Sequence, residues 1–315
     1  MKSFSPLLAS CTFFLGLTRT AVACDTCALY LADAAGRPGF TLSTAHQYTR
    51  LGTLWSGDRQ LGNPIDQYVD SHITQLSVGY SRGGDWQAQF TLPYISRSYR
   101  RPDHSRIENG RERGLGDATL AARYRLWRTV TNRGNQLELG LLGGIELATG
   151  NSDRLKPANH VHHHFVPSGV HEHDLALGSG STDWLVGADA RWQHGRWFAQ
   201  TQVQRKLRRP GAFDYRLADE TTWEFGAGRY LILTHTRSLA AQGLFSTDHR
   251  GLDSLAGAAQ VDTGASVRYL GARVTGALRR RFESALSLEL PVRIRTTDTM
   301  VVPDYRIRAA VDWRF

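Results

Sequence analysis

The 315-residue sequence has three cysteines and, beyond its N-terminus, no long hydrophobic run. Its longest apolar stretch runs from Leu7 to Leu17, follows Lys2, and is succeeded by an A-x-A motif at residues 21–23. This arrangement is typical of a secretory signal peptide, predicted here as residues 1–23. No later segment approaches the roughly 20 apolar residues that a spanning helix needs. The sequence therefore argues against a helical membrane protein.

The few cysteines are unevenly placed. Cys11 lies in the predicted signal peptide, whereas Cys24 and Cys27 form a C-x-x-C motif in a predicted periplasmic segment, residues 24–38. In an oxidising compartment the pair forms a disulfide or stays idle. Alternatively Cys24 carries a lipid, although Ala21 stands where a lipobox usually has Leu, or both thiolates bind a soft metal.

Catalytic motifs are missing as well, since no nucleophile motif such as G-x-S-x-G occurs. The Gly/Ser-rich residues 178–181 are interpreted as a flexible turn, and we expect no enzymatic activity. The formal net charge is +9. On an exported chain this excess favours an anion-preferring lumen or contact with anionic lipopolysaccharide, and nucleic acid is not an expected partner.

What the sequence does contain is alternation with a period of two. In residues 304–315 apolar and charged side chains alternate, and Tyr305, Trp313 and Phe315 place aromatic side chains near strand ends, as a membrane girdle requires. Residues 286–295 alternate in the same way. The predicted outward side chains there are Leu286, Leu288, Leu290, Val292 and Ile294, and the predicted inward ones are Ser287, Glu289, Arg293 and Arg295.

The predicted fold is all-β, a membrane-spanning up-and-down antiparallel β-barrel of about 12 strands over residues 39–315. Long and short connections alternate, which is typical of barrels with long outside loops and tight periplasmic turns. The location is then a bacterial outer membrane, with lipid as the first partner. The predicted strands are residues 39–52, 71–83, 86–101, 115–128, 136–150, 182–195, 197–209, 222–234, 239–247, 261–280, 285–296 and 304–315.

The longest predicted loop, residues 151–181, is rich in histidine. Imidazole is a common ligand for zinc, copper and nickel, and carboxylates add oxygen ligands. Three interpretations remain open: adventitious metal binding, a transport-related metal site, and a pH-sensitive gate. The candidate ligands for a divalent transition metal are His160, His162, His163, His164, His171, Glu172, His173 and Asp174.

A second set of candidates consists of charged residues expected in the lumen. Their carboxylates either pair with arginines such as Arg123 or Arg191, because isolated charges in a narrow lumen are costly, or form a charged constriction that selects solutes. The set comprises Asp117, Arg123, Asp183, Asp189, Arg191, Arg293 and Arg295.

Six short stretches occur in a characteristic order: Gly114–Ala118 leading into Arg123–Leu126, Glu146–Gly150, Leu177–Asp183, Tyr215–Glu220, Leu290–Val292 and Asp304–Phe315. In order and spacing they resemble the outer-membrane transporter family named after the meta pathway of phenol degradation, over roughly Gly39 to Phe315. A subgroup begins its mature chain with a motif similar to Cys24–Cys27. The resemblance implies an outer-membrane barrel that passes small, often aromatic, compounds, and it implies no catalytic residues. The histidine-rich insertion departs from the family.

The functional prediction is an outer-membrane channel or facilitator for a small solute, either a metal ion or complex or a small organic compound. The alternative is a non-conducting surface protein whose histidine-rich loop binds metal.

Overall fold

The computed structural model describes residues 38–103, 106–131, 135–157, 167–279 and 281–315. The predicted signal peptide, Cys24, Cys27 and the histidines at 160 and 162–164 lie outside these ranges. The strands are β1 (Pro38–Ser56), β2 (Arg59–Leu61), β3 (Tyr68–Arg82), β4 (Trp86–Asp103), β5 (Arg106–Leu115), β6 (Ala118–Val130), β7 (Asn135–Leu147), β8 (Asp183–His194), β9 (Trp197–Leu207), β10 (Tyr215–Arg216), β11 (Glu220–Leu233), β12 (Arg237–Arg250), β13 (Asp253–Leu255), β14 (Ala258–Gln260), β15 (Ala265–Leu278), β16 (Phe282–Thr296) and β17 (Met300–Arg314).

The long strands form a closed antiparallel barrel. Each pairs with its neighbour along the chain, and β17 pairs with β1 from Thr41 opposite Arg314 to Trp55 opposite Met300. β5 and β6 pair with the upper and lower parts of β4 and together act as one strand. Twelve strands therefore surround the lumen, which confirms the predicted fold and strand number.

Alternation separates the two faces of the wall. On β16, Leu286, Leu288 and Leu290 are 58%, 47% and 51% exposed, whereas Ser287 and Glu289 are 3% and 1% exposed. The other long strands repeat this pattern, with apolar side chains outside and polar ones inside. An apolar outer surface on a closed sheet suits lipid, because closure leaves no unpaired backbone edge. The barrel is accordingly an outer-membrane protein.

Helical structure is confined to connections. It consists of α1 (Glu172–Leu175) and 3-10 turns at Asp153–Leu155, Ala212–Asp214 and Val261–Thr263. Among the described residues no helix is long and apolar enough to cross a membrane.

Among the strands longer than three residues, β5 is not predicted by the sequence. Residues 102–114 are predicted as a loop, but β5 extends the β4 hairpin through them, from Tyr94 opposite Leu115 to Asp103 opposite Arg106. The outward side chains of β5 include Arg111 and Arg113. Because this hairpin rises beyond the apolar belt, its strands lack the apolar alternation on which the prediction depends.

A β-bulge in β16 places two arginines on the opposite face of the barrel wall from the one predicted. Between Pro291 and Arg293 the ladder with β15 skips Val292, so that Arg293 lies opposite Arg268. One extra residue reverses the faces beyond it. Arg293 and Arg295 are therefore exposed on the outer face and do not line the lumen as predicted.

Candidate functional site

The barrel end opposite Pro38 and Phe315, called the loop end, is narrowed by residues 167–182, called the inner loop. Val170 and Leu175 of this loop are 1% and 0% exposed, and they pack in one cluster with Leu54, Val69, Tyr99 and Val301. Val69 and Tyr99 belong to the inward sets of β3 and β4. The inner loop thus folds into the mouth of the barrel.

Arg97 holds the inner loop from the wall. Its Nη1 donates hydrogen bonds to the carbonyl oxygens of Asp174 (2.9 Å) and Ala176 (2.6 Å). Glu172 lies 2.5 Å from Arg101 Nη2 and 2.8 Å from Arg154 Nη1. These arginines neutralise the carboxylate, and the pKa of Glu172 is lowered although burial opposes the shift. Glu172 is therefore engaged in anchoring the loop.

Asp117 fastens both ends of the long connection. It lies at the break between β5 and β6 and accepts hydrogen bonds from the backbone N–H of Gly150 (2.8 Å) and of Ser179 (2.6 Å). The Ser179 hydroxyl donates a third bond over 2.7 Å. A Cβ on Gly178 would lie 2.6 Å from the backbone of Gly150, so the two segments meet only because glycine stands there. Three of the family-like stretches converge at this point.

A first group of buried charges, the rim network, lies beneath the inner loop. Glu146 contacts both Lys206 Nζ and Arg208 Nη1 over 2.6 Å. Arg208 also lies 2.7 Å from Asp183 and 3.4 Å from Glu220. Asp183 is 0% exposed, and the lumen arginine with which it pairs is Arg208.

A second group joins β6, β7 and β8. Arg123 donates to Glu138 and Asp189, each over 2.7 Å. Arg191 lies 4.0 Å from Asp189. Three predicted lumen residues, Arg123, Asp189 and Arg191, thus lie together. Arg123 pairs with Asp189 and not with Asp117, which accepts its hydrogen bonds from backbone N–H groups and a hydroxyl.

A third group, the central network, was missed as a site. Arg306 lies 2.8 Å from both Asp248 and Glu289. Arg308 lies 3.0 Å from Glu289 and 3.3 Å from Glu224, and Arg273 lies 2.8 Å from Glu224. Alternation places Arg306, Arg308 and Glu289 on the charged face, but it does not reveal that they meet across the barrel.

Two cavities remain between these charges. The first has a volume of about 90 Å³ below the inner loop and is lined in part by Arg97, Asp117, Glu146, His173 and Arg250. The second, about 220 Å³, lies deeper and is lined in part by Asp189, Gln200, Gln202, Gln242, Arg273 and Asp312. Ligand sites for drug-sized molecules usually exceed about 300 Å³. Each of these two cavities has room only for a small solute.

The inner loop also brings three candidate metal ligands together. The ligand atoms of His171, His173 and Asp174 all lie within 4.8 Å of one another. His173 Nε2 lies 3.2 Å from one carboxylate oxygen of Asp174, and His171 Nδ1 lies 3.6 Å from the other. Both nitrogens are buried and face the Asp174 carboxylate. Glu172, bound by arginines, is not part of this group.

Charge around this group favours a cation. Burial lowers the pKa of His173, but the Asp174 and Asp253 carboxylates outweigh it, so that the pKa of His173 is raised. Burial raises the pKa of Asp174, yet His173 and His171 hold it well below its usual value. The surroundings of the His173 ring are therefore electronegative.

Comparisons with known proteins agree with this architecture. The family model described as "Putative MetA-pathway of phenol degradation" matches residues 35–282. No curated protein matches the chain. Among solved structures, an outer membrane channel from Pseudomonas putida F1 is similar at a TM-score of 0.63 and 17% identity, over 89% of this chain and 96% of that one. At this identity the likeness shows the fold alone.

More distant barrels are also similar. The β domain of the Bordetella autotransporter BrkA matches at a TM-score of 0.45 and 15% identity, over 89% of this chain and 100% of that one. The translocator domain of NalP from Neisseria meningitidis matches at 0.43 and 10%, over 90% of each chain. These two likenesses are too distant to support an argument.

Proposed function

Since the chain belongs to the family of the MetA-pathway of phenol degradation, whose model covers residues 35–282, we propose that it is an outer-membrane channel or facilitator for a small polar solute. The observation that carries this proposal is the polar lumen with its two cavities. Their linings combine guanidinium, carboxylate and amide groups. Such linings select solutes by charge and hydrogen bonding.

The lumen chemistry also bears on the cargo. The deeper cavity presents Gln200, Gln202 and Gln242 together with charges of both signs. A purely apolar solute would desolvate these groups without replacing their hydrogen bonds, which is costly. Ions and small organic compounds with polar groups are therefore the proposed cargo.

Conductance in planar bilayers tests the proposal. The mature chain, starting at Cys24, is refolded and its barrel structure verified by circular dichroism and heat-dependent gel migration. We expect discrete, small conducting steps, because the inner loop narrows the mouth. Folded protein that gives no steps, and that admits neither salt nor glycine into liposomes in a swelling assay, would contradict the channel.

A second candidate function is that of a surface metal-binding protein. His171, His173 and Asp174 offer two imidazoles and a carboxylate at mutual distances that suit zinc, copper or nickel. The histidines at 160 and 162–164 are proposed as additional ligands. In this candidate the lumen is sealed by its ion pairs and the inner loop presents the metal.

Calorimetric titration of the full mature chain with Cu²⁺ or Zn²⁺ tests this candidate. We expect one site per chain that the double substitution His171→Ala and His173→Ala abolishes. His249→Ala, on the outer face of β12, is the control and leaves binding unchanged. If replacing residues 162–164 with alanine abolishes the site while the double variant retains it, the assignment to His171 and His173 is wrong.

The two functions separate in one further measurement. A channel conducts with chelator present, whereas the binding protein takes up metal and stays silent in the bilayer.

A further inference from the structure

Three arginines stand together on the outer face of the barrel near the loop end. Arg268 of β15 lies directly opposite Arg293 of β16. Arg295 follows two residues later and shares that face, opposite Ser266. All three side chains are exposed. We call this group the arginine patch.

The charge of the arginine patch is not compensated by the protein. Among the residues that the structure describes, no ion pair or side-chain hydrogen bond involves Arg268, Arg293 or Arg295. The outward Arg205 of β9 differs, since its Nη2 lies 3.3 Å from Asp219. Like charges directly opposite one another destabilise an antiparallel pair. An external anion would remove this repulsion.

The patch lies just above the lipid-facing surface. On the same two strands, Leu270, Leu288 and Leu290 are 53%, 47% and 51% exposed below it. The residues paired with these arginines on the neighbouring strands are also polar. Arg293 lies opposite Arg268, which lies opposite Thr247, and Arg295 lies opposite Ser266, which lies opposite His249. The arginines therefore lie at the level where an apolar belt gives way to lipid headgroups.

Only a ligand with both an anionic head and acyl chains matches this position. A guanidinium group pairs with phosphate through two parallel hydrogen bonds. Three adjacent guanidinium groups suit more than one phosphate, and the leucines beneath suit acyl chains. A free phosphate ion would use only the first of these features.

We propose that the arginine patch binds the phosphorylated glycolipid headgroup of lipopolysaccharide, lipid A, in the outer leaflet. The site is distinct from the lumen and does not depend on what the lumen passes. It gives the outward arginines on the bulged end of β16 a function, since the bulge turns them from the lumen to the lipid.

Native mass spectrometry of the detergent-solubilised mature chain tests the proposal, with bisphosphorylated lipid A as the probe. The test variant combines Arg268→Gln, Arg293→Gln and Arg295→Gln. We expect its affinity for lipid A to fall at least tenfold. Dephosphorylated lipid A should bind the unaltered protein about as weakly as the variant binds the phosphorylated form.

The control variant removes the same charge at the opposite end of the barrel. It combines Arg237→Gln, Arg279→Gln and Arg281→Gln. These exposed residues lie beside the turns that join β11 to β12 and β15 to β16. The control should keep full affinity. Equal affinity of the test variant and the unaltered protein for lipid A would overturn the proposal. It would also be overturned if the test variant lost as much affinity for phosphatidylglycerol as for lipid A, because the patch would then bind any anionic lipid. If the triple variant fails to fold, Arg293→Gln alone should reduce affinity at least threefold.

Discussion

At the scale of single residues, Arg306 shows how the lumen is held together. It is 2% exposed, and the aromatic ring of Tyr269 lies 4.2 Å from its guanidinium carbon. Its partners Asp248 and Glu289 are equally buried. Buried charges are tolerable only when paired, because each would otherwise forgo hydration without compensation. Each member of the central network therefore depends on the others.

Replacing Arg306 by glutamine should destabilise the barrel strongly. The substitution leaves the Asp248 carboxylate without its arginine partner and reduces the positive charge facing Glu289. Breaking a buried pair typically costs about 3–5 kcal/mol. The free energy of unfolding, measured by urea titration in lipid vesicles with tryptophan fluorescence, should fall by about that amount.

The matched control is Arg237→Gln at an exposed position, which should change the free energy of unfolding by less than about 0.5 kcal/mol. Adding Asp248→Asn to the Arg306 variant removes the carboxylate that has lost its arginine and should restore part of the loss. If the effects of the Arg306 and Asp248 substitutions, each measured alone, add up to that of the double variant, the two residues are not energetically coupled.

Sequence alternation predicts which residues face inward but not which of them pair. Arg123 and Asp189 are both predicted in the lumen and do meet, 2.7 Å apart. One of the two interpretations of the sequence pairs Asp117 with an arginine, yet Asp117 binds the backbone of the long connection. Partners that come from different strands depend on register and on loop conformation, and neither follows from a period of two.

At the scale of elements, strands inside the apolar belt are predictable and the rest are not. All twelve barrel strands are predicted within a few residues, because one face of each must be apolar. β5 and the short strands of the loops carry no such requirement. The bulge in β16 is also hidden, since residues on both of its sides still alternate.

The inner loop provides a prediction at this scale. Arg97→Met keeps the aliphatic stem but removes the two hydrogen bonds to the carbonyl oxygens of Asp174 and Ala176. A hydrogen bond from a charged donor contributes about 1.5–3 kcal/mol. Hydrogen exchange of residues 170–178 should therefore accelerate at least tenfold, and the mean conductance should rise.

Arg113→Met is the matched control, on the outer face of the same hairpin. It should leave both exchange and conductance unchanged. Faster exchange without any rise in conductance would mean that the inner loop does not limit the pore.

At the scale of the whole molecule, closure connects the two faces of the wall. β1 and β17 pair along nearly their full length, so that neither of them is left as an edge strand exposed to lipid. Consecutive residues of each strand point to opposite faces of the closed wall, so that the apolar outer face and the charged inner face are only one residue apart along the chain. The lumen can therefore carry its ion networks while the outer surface stays in hydrocarbon.

Substituting an arginine at the middle of the lipid-facing surface tests this arrangement of the whole barrel. Leu288 lies near the middle of β16 and is 47% exposed, whereas Leu278 ends β15 and is 49% exposed. An arginine at the bilayer midplane costs about 2–4 kcal/mol and one near the interface about 0–1 kcal/mol. Leu288→Arg should lower the free energy of unfolding in lipid vesicles by the larger amount and Leu278→Arg by the smaller. Since the two residues are almost equally exposed, a barrel surrounded by water would tolerate both equally, and only burial in lipid makes their positions differ.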